Sequence, residues 1–147
     1  MKRIARSAIV ARPAARVYAL VEDIESYPTF LPWCAEAHVH ERSPERTVAT
    51  LVARAAGLRQ SFTTENRNRP GEAIEMRLLE GPFRHFEALW RFRPLGPQAC
   101  RVEFTMRWEF ASRALAKLLE PLFGRIAQTM VEAFLHRLDE LDGRVAR

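Results

Sequence analysis

Cys100-Arg101-Val102-Glu103-Phe104-Thr105-Met106-Arg107-Trp108-Glu109-Phe110 alternates apolar and polar residues without a break, and Ser112 follows almost at once. A period of two is the signature of a strand with one buried face, here Cys100, Val102, Phe104, Met106, Trp108 and Phe110. Beyond Ser112 the period changes. Leu115, Leu118, Leu119, Leu122, Phe123, Ile126, Met130, Phe134, Leu138 and Leu141 recur at spacings of three and four, which is one face of a helix. Ser112 is placed to cap that helix, and Gly143 to stop it just after Asp142. Some thirty residues at ~1.5 Å each extend roughly 45 Å, enough to cross a whole sheet. Pro121, with Gly124 close behind it, is expected to kink the helix or split off its first turns.

Upstream, the period of two extends back to Ala35, interrupted only by turn chemistry. The interruptions are Ser43-Pro44-Glu45, Ala56-Gly57, Arg69-Pro70-Gly71-Glu72, Gly81-Pro82 and Pro94-Leu95-Gly96-Pro97. Strands at hairpin spacing predict an antiparallel meander. Residues 2–11 read as one further strand. Pro13 suits a first helical turn, followed by Val17, Leu20, Val21 and Ile24 at helical spacing. The prediction is an α+β domain spanning 1–147: about seven antiparallel strands, a short helix and a long C-terminal helix.

Between the short helix and the meander lies Tyr27-Pro28-Thr29-Phe30-Leu31-Pro32-Trp33-Cys34. Its two prolines argue against a regular helix or central strand. Its aromatic content is too high for a solvated loop. Such a segment either plugs a core or lines the mouth of a cavity.

Composition excludes several classes. At 48% apolar and 28% charged residues the chain is not a disordered one. No apolar run reaches the ~18 residues that a bilayer span needs. The basic N-terminus leads into no apolar stretch of the kind that directs secretion. Cys34 and Cys100 form no close-spaced pair, so both read as buried thiols in a reducing cytoplasm. The net charge of +5 is spread along the chain as +2 over residues 1–57, +2 over 58–110 and +1 over 111–147, with no basic tail. Nearly all of it is arginine, which suits phosphate contacts.

Inward phases carry the functional information. Ala49, Leu51, Ala53 and Ala55, preceded by Ala35, Ala37 and Val39, are small. Either a helix approaches closely there or space is left. The phase of Leu58 and Phe62 also holds Gln60, Thr64 and Asn66, polar groups that need partners when buried. They satisfy one another, or they meet water or a ligand. No inward phase offers paired carboxylates, and there is no nucleophile elbow, phosphate-cradling glycine loop or H-E-x-x-H. His38 and His40 share an outward face with Glu36, so a metal site is not expected. These features describe a binder rather than a catalyst.

The order of elements resembles the helix-grip, or START-like, fold. Tyr27-Pro-x-Phe30-Leu31-Pro32-Trp33-Cys34, Phe62-Thr-Thr-x-Asn66, Gly81-Pro82-Phe83 and Trp90-x-Phe92 resemble the coenzyme Q-binding and ribosome-association-toxin family within it. One departure is Ala88-Leu89, where the family pattern has glycine and an acidic residue. The resemblance implies two activities. One is binding of ubiquinone or a related polyisoprenoid lipid in support of respiration, without a required cofactor. The other is association with the large ribosomal subunit that blocks its joining to the small one. The polyketide cyclase label of distant relatives is not carried over.

The leading expectation is a non-enzymatic carrier. Phe30, Leu31, Trp33 and Phe83 form its entrance. Phe62, Met76, Trp90, Phe104, Met106, Phe123, Met130 and Phe134 enclose the tail, and Gln60, Thr64 and Asn66 hold the head group. The alternative places rRNA phosphates against outward Arg59, Arg67, Arg69, Arg91, Arg93, Arg101 and Arg107. A cytoplasmic protein in peripheral contact with the inner membrane suits the first expectation.

Overall fold

The alternating strands pair in chain order into one curved antiparallel sheet. A computed structural model describes residues 1–143, so the last four residues of the 1–147 domain lie outside the described residues. Strands β1 (Lys2–Val10), β2 (Cys34–Arg42), β3 (Arg46–Ala55), β4 (Leu58–Arg69), β5 (Ala73–Glu80), β6 (Phe83–Gly96) and β7 (Ala99–Phe110) line up as β1-β7-β6-β5-β4-β3-β2. The consecutive strands form the predicted meander, and β1 closes against β7. Register pairs Ala88 with Met106, Trp90 with Phe104 and Phe92 with Val102, so the predicted apolar phases coincide on one face.

Turn chemistry explains the strand ends. Ala56 and Gly57 form the two-residue β3–β4 loop with φ of 49° and 85°. Left-handed dihedrals at both positions match the twist of a hairpin, but alanine adopts them at a cost. Between β4 and β5, Glu72 N–H donates to the Arg69 carbonyl at 2.8 Å, with Pro70 and Gly71 (φ 75°) at the two central positions. This is where proline and glycine suit a type II turn.

Helix α1 spans Ala14–Glu22 with Pro13 at its N-cap, and a 3-10 turn covers Ile24–Ser26. The following segment corrects the sequence expectation. Tyr27–Phe30 is a one-turn helix, α2, with Pro28 in its first turn, where no intrahelical N–H is required. Leu31, which precedes Pro32, is extended, as the proline ring demands. The segment is then tied down by Cys34 N–H to the Leu31 carbonyl at 3.0 Å and Arg54 N–H to the Trp33 carbonyl at 2.8 Å.

Helix α3 runs from Arg113 to Leu141 as one element, so the expected split at Pro121 does not occur. Pro121 is exposed, which leaves the carbonyl it frees one turn back on the solvated side. Ser112 Oγ accepts from Leu115 N–H at 3.2 Å, as a capping serine should. At the other end Arg12 donates to Asp142 at 2.6 Å and to Asp139 at 2.7 Å, and Arg16 reaches Asp142 at 3.1 Å. The hydrogen bonds from Arg12 and Arg16 hold the Asp142 carboxyl below its usual range. The last turn of α3 is thereby fastened to the chain between β1 and α1.

Replacing Ala56 with asparagine or glycine is expected to raise stability by about 0.5–1 kcal/mol, because both tolerate the left-handed turn. Urea unfolding checks this, with an unchanged m-value as the sign that only stability moved.

Candidate functional site

Two rings of α3 organise the space between helix and sheet. Phe123 meets Phe62, Phe83 and Phe110 at centroid distances of 5.5, 5.0 and 5.9 Å. Three turns further on, Phe134 meets Trp90 at 5.3 Å, Tyr27 at 5.3 Å and Phe30 at 5.2 Å. Between these clusters lies a narrow void of about 30 Å³. That is room for a water molecule or two, and an apolar lining favours a dry space.

The void draws on most of the predicted enclosure: Trp33, Phe62, Met76, Trp90, Phe104, Met106, Phe123, Met130 and Phe134 all line it. Tyr27, Leu51, Phe86, Ala88 and Ile126 complete the wall. Phe86 and Ala88 share the strand phase of Trp90, and Ile126 sits three residues after Phe123, so periodicity carried the signal for them. Tyr27 belongs to the aromatic segment singled out in the sequence, but its place on this wall follows only from its contacts. Its hydroxyl donates to the Val21 carbonyl, and burial pushes the phenol well above its ordinary range, so it stays a neutral donor facing away from acid–base work.

Five expected positions fall elsewhere. Leu31 is buried beneath the segment and lines neither the void nor its approach. Phe83 is an interior member of the Phe123 cluster, stacked on Phe110 at 5.0 Å, not part of an entrance. Gln60 sits near the hairpin end, its amide donating to the Ser61 carbonyl at 2.9 Å. Thr64 and Asn66 are buried and bonded to each other, Thr64 Oγ1 donating to Asn66 Oδ1 at 2.9 Å. That bond pairs the threonine hydroxyl with the amide oxygen, and neither residue lines the void. Sequence reading also passed over Asn68, which is buried and donates to Thr47 Oγ1 at 3.1 Å.

The approach to the void is an open cleft of about 610 Å³ between α3 and the Pro32–Trp33 turn. Phe30, Pro32, Trp33, Leu122, Ile126 and Ala133 give it an apolar floor; Arg54, Arg125 and His136 with Glu132 and Glu140 edge it. Trp33 and Ile126 line both spaces and form the wall between them. The Arg137 guanidinium lies 5.5 Å from the Phe30 ring centroid, a cation–π contact on that side of the helix.

On the opposite, outer face of the sheet, Arg46, Arg67, Arg69, Arg91 and Arg93, interleaved with Glu45, Glu65, Glu72 and Glu75, line an open groove of about 1160 Å³. Arg91, Arg93 and Arg101 line a smaller one beside it. Arg59 and Arg107, expected to join them, do not: Arg59 is engaged by Glu36, and Arg107 by Glu87 at 2.9 Å.

Chemically, the void offers no carboxylate, histidine or thiol among its lining residues. Cys34 is buried outside it, and desolvation pushes its thiol up to about 11, so it is not a nucleophile at neutral pH. Among the described residues no group of three or more His, Cys, Asp or Glu is placed to hold a metal ion. No helix among them is long and apolar enough to cross a membrane.

Residues 10–135 match the family described as polyketide cyclase/dehydrase and lipid transport. The chain belongs to that family. Within it, the chain is 40% identical to the ribosome association toxin RatA of Pseudomonas aeruginosa, over 95% of this chain and 97% of that protein. It is 27% identical to the mitochondrial coenzyme Q-binding protein COQ10 homolog B of Xenopus laevis, over 97% of this chain and 61% of that one. The Zhui aromatase/cyclase from Streptomyces superposes with a TM-score of 0.79 over 92% of each chain at 20% identity, which shows the shared START-like fold.

Thr64→Val is expected to destabilise the protein by about 1–3 kcal/mol, because Asn66 Oδ1 loses its donor inside the fold. Binding of any hydrophobic probe by the folded variant should stay at the wild-type level. Urea unfolding and probe titration check the two halves.

Proposed function

We propose that this protein associates with the large ribosomal subunit through its outer surface, hinders subunit joining, and catalyses no reaction. One observation carries this reading: the 40% identity to a ribosome association toxin extends over 95% of this chain and 97% of that one. The charge supports it. An excess of +5 made almost wholly of arginine suits planar, bidentate contact with phosphate oxygens. The interior supports it as well, since a surface function needs no opening of the void.

A second reading is favoured by the position of Trp33 between the apolar void and the cleft. Here the grip takes a hydrophobic ligand such as ubiquinone as cargo, collected during peripheral contact with a membrane. Sites for such ligands measure ~300–1000 Å³, so the void of about 30 Å³ must grow for loading. Trp33 and Ile126, which line both spaces, are the side chains in the way. Each buried methylene contributes ~0.8 kcal/mol, so a polyisoprenoid tail offers enough to drive that expansion. The cost of expansion places this reading second.

Sedimentation of the purified protein with separated ribosomal subunits tests the first reading. Co-sedimentation with the large subunit is expected at low salt, with affinity falling steeply as salt rises. Absence of binding at low salt would remove the ribosomal reading. Native mass spectrometry after incubation with ubiquinones of several tail lengths tests the second, with uptake expected to rise in Trp33→Ala. No adduct at any tail length, in either protein, sinks it.

A further inference from the structure

Strand register arranges the outward side chains of the sheet into rungs, and these rungs differ in charge. One rung reads Glu65, Arg77, Glu87, Arg107 and Arg3, in which acid and base alternate across four strands before ending on two arginines. The next reads Arg46, Arg67, Glu75 and Leu89. The next sets Arg69 and Arg91 on either side of Ala73, with Glu103 beyond. The last pairs Arg93 directly with Arg101. Each rung thus carries a net positive charge, and the last, which has no acid of its own, carries the most.

Three of these pairings set like charges directly opposite each other: Arg3 with Arg107, Arg46 with Arg67 and Arg93 with Arg101. Such cross-strand pairs destabilise a sheet. The last two pairs are each relieved by a shared carboxylate. Glu65 takes Arg46 at 2.7 Å and Arg67 at 3.7 Å, and Glu103 takes Arg93 at 2.6 Å and Arg101 at 3.4 Å. At the second site one carboxylate serves two guanidiniums and leaves a cation over; at the first, Arg46 is also held by Glu41 at 2.8 Å, so the charges there balance. Arg69 and Arg91 have no ion-pair partner at all among the described residues, and both are exposed. The small Ala73 between them keeps the floor of the groove low, and two strand spacings separate their backbones by about 10 Å.

We infer that this groove, centred on Arg69, Ala73 and Arg91 with Leu89 on its floor, is the surface that holds the sugar–phosphate backbone of rRNA. The inference rests on the ribosomal reading and specifies its site. Charge complementarity selects the occupant. Unpaired guanidiniums flanking a low floor receive phosphate, half-buried Leu89 offers an apolar contact for a sugar face, and Arg67, Arg93 and Arg101 extend the positive field along the groove. The set is narrower than the outward arginines taken together, because Arg59 and Arg107 do not line the groove or its neighbour.

The test compares three proteins in the subunit sedimentation assay across a salt series: wild type, Arg69→Glu with Arg91→Glu, and Arg113→Glu with Arg125→Glu. The last pair makes the same change in net charge on the exposed side of α3. Among the described residues none of the four arginines has an ion pair to break, so folding should survive; circular dichroism verifies this, and Arg69→Gln with Arg91→Gln is the milder substitute. The groove variant is expected to lose at least tenfold in affinity while the α3 variant stays within about twofold of wild type. In the glutamine variant the slope of log affinity against log salt should flatten by roughly 0.7–0.9 for each phosphate that the arginines no longer neutralise. Equal binding by wild type and groove variant, or equal losses in both charge-reversed proteins, overturns the groove assignment and leaves ribosome association standing. Failure of the wild type itself to sediment with subunits overturns both.

Discussion

Everything in this molecule follows from how one long helix covers the inner face of a seven-stranded sheet. The inward residues of β6 and β7 are large and aromatic, and α3 answers them with Phe123 and Phe134, three turns apart. Each ring is fully buried, and removing a buried phenylalanine of this kind typically costs about 3–5 kcal/mol. The two ends of α3 are fastened by different means. Ser112 caps the first turn, and Arg12 with Arg16 clamps the last. Fixing both ends while the middle spans between clusters leaves the small void beside Ala88 and Met106.

That geometry separates the inside of the fold from the outside. Inside, the lining is apolar and closed by Trp33, so whatever the grip accepts is recognised by shape and apolar burial. Outside, the same strands present the alternate residues of each run, and those are largely arginine and glutamate. A substitution on one face therefore leaves the other nearly untouched, because successive side chains of a strand point in opposite directions. The two proposed activities, ribosome contact and ligand cargo, would draw on physically independent surfaces of one sheet.

Departures from the family pattern carry meaning in this setting. Ala88 stands on the wall of the void where the resemblance implies glycine, and its extra carbon contributes to the small volume. Leu89 points outward to the basic groove where an acidic residue is implied, so a negative charge is missing from the rung that holds Arg46 and Arg67. One substitution trims the cavity and the other raises the positive potential outside.

Much of the fold was legible in the sequence, because its causes are local. Strict alternation in β7, the change of period after Ser112 and the Pro70-Gly71 turn each depend on a few neighbouring residues. Even the walls of the void could be largely named from strand phase and helix spacing. Volume could not, since it is a small difference between the sheet's curvature and the summed size of side chains from seven strands. Nor could the fate of buried polar groups: Thr64 and Asn66 lie two apart on one face, and only packing shows that they bond to each other. The basic groove was hidden for a related reason. Arg69 and Arg91 are far apart in the chain and meet across Ala73 only when three strands lock into register, which hydrogen bonding between distant segments decides.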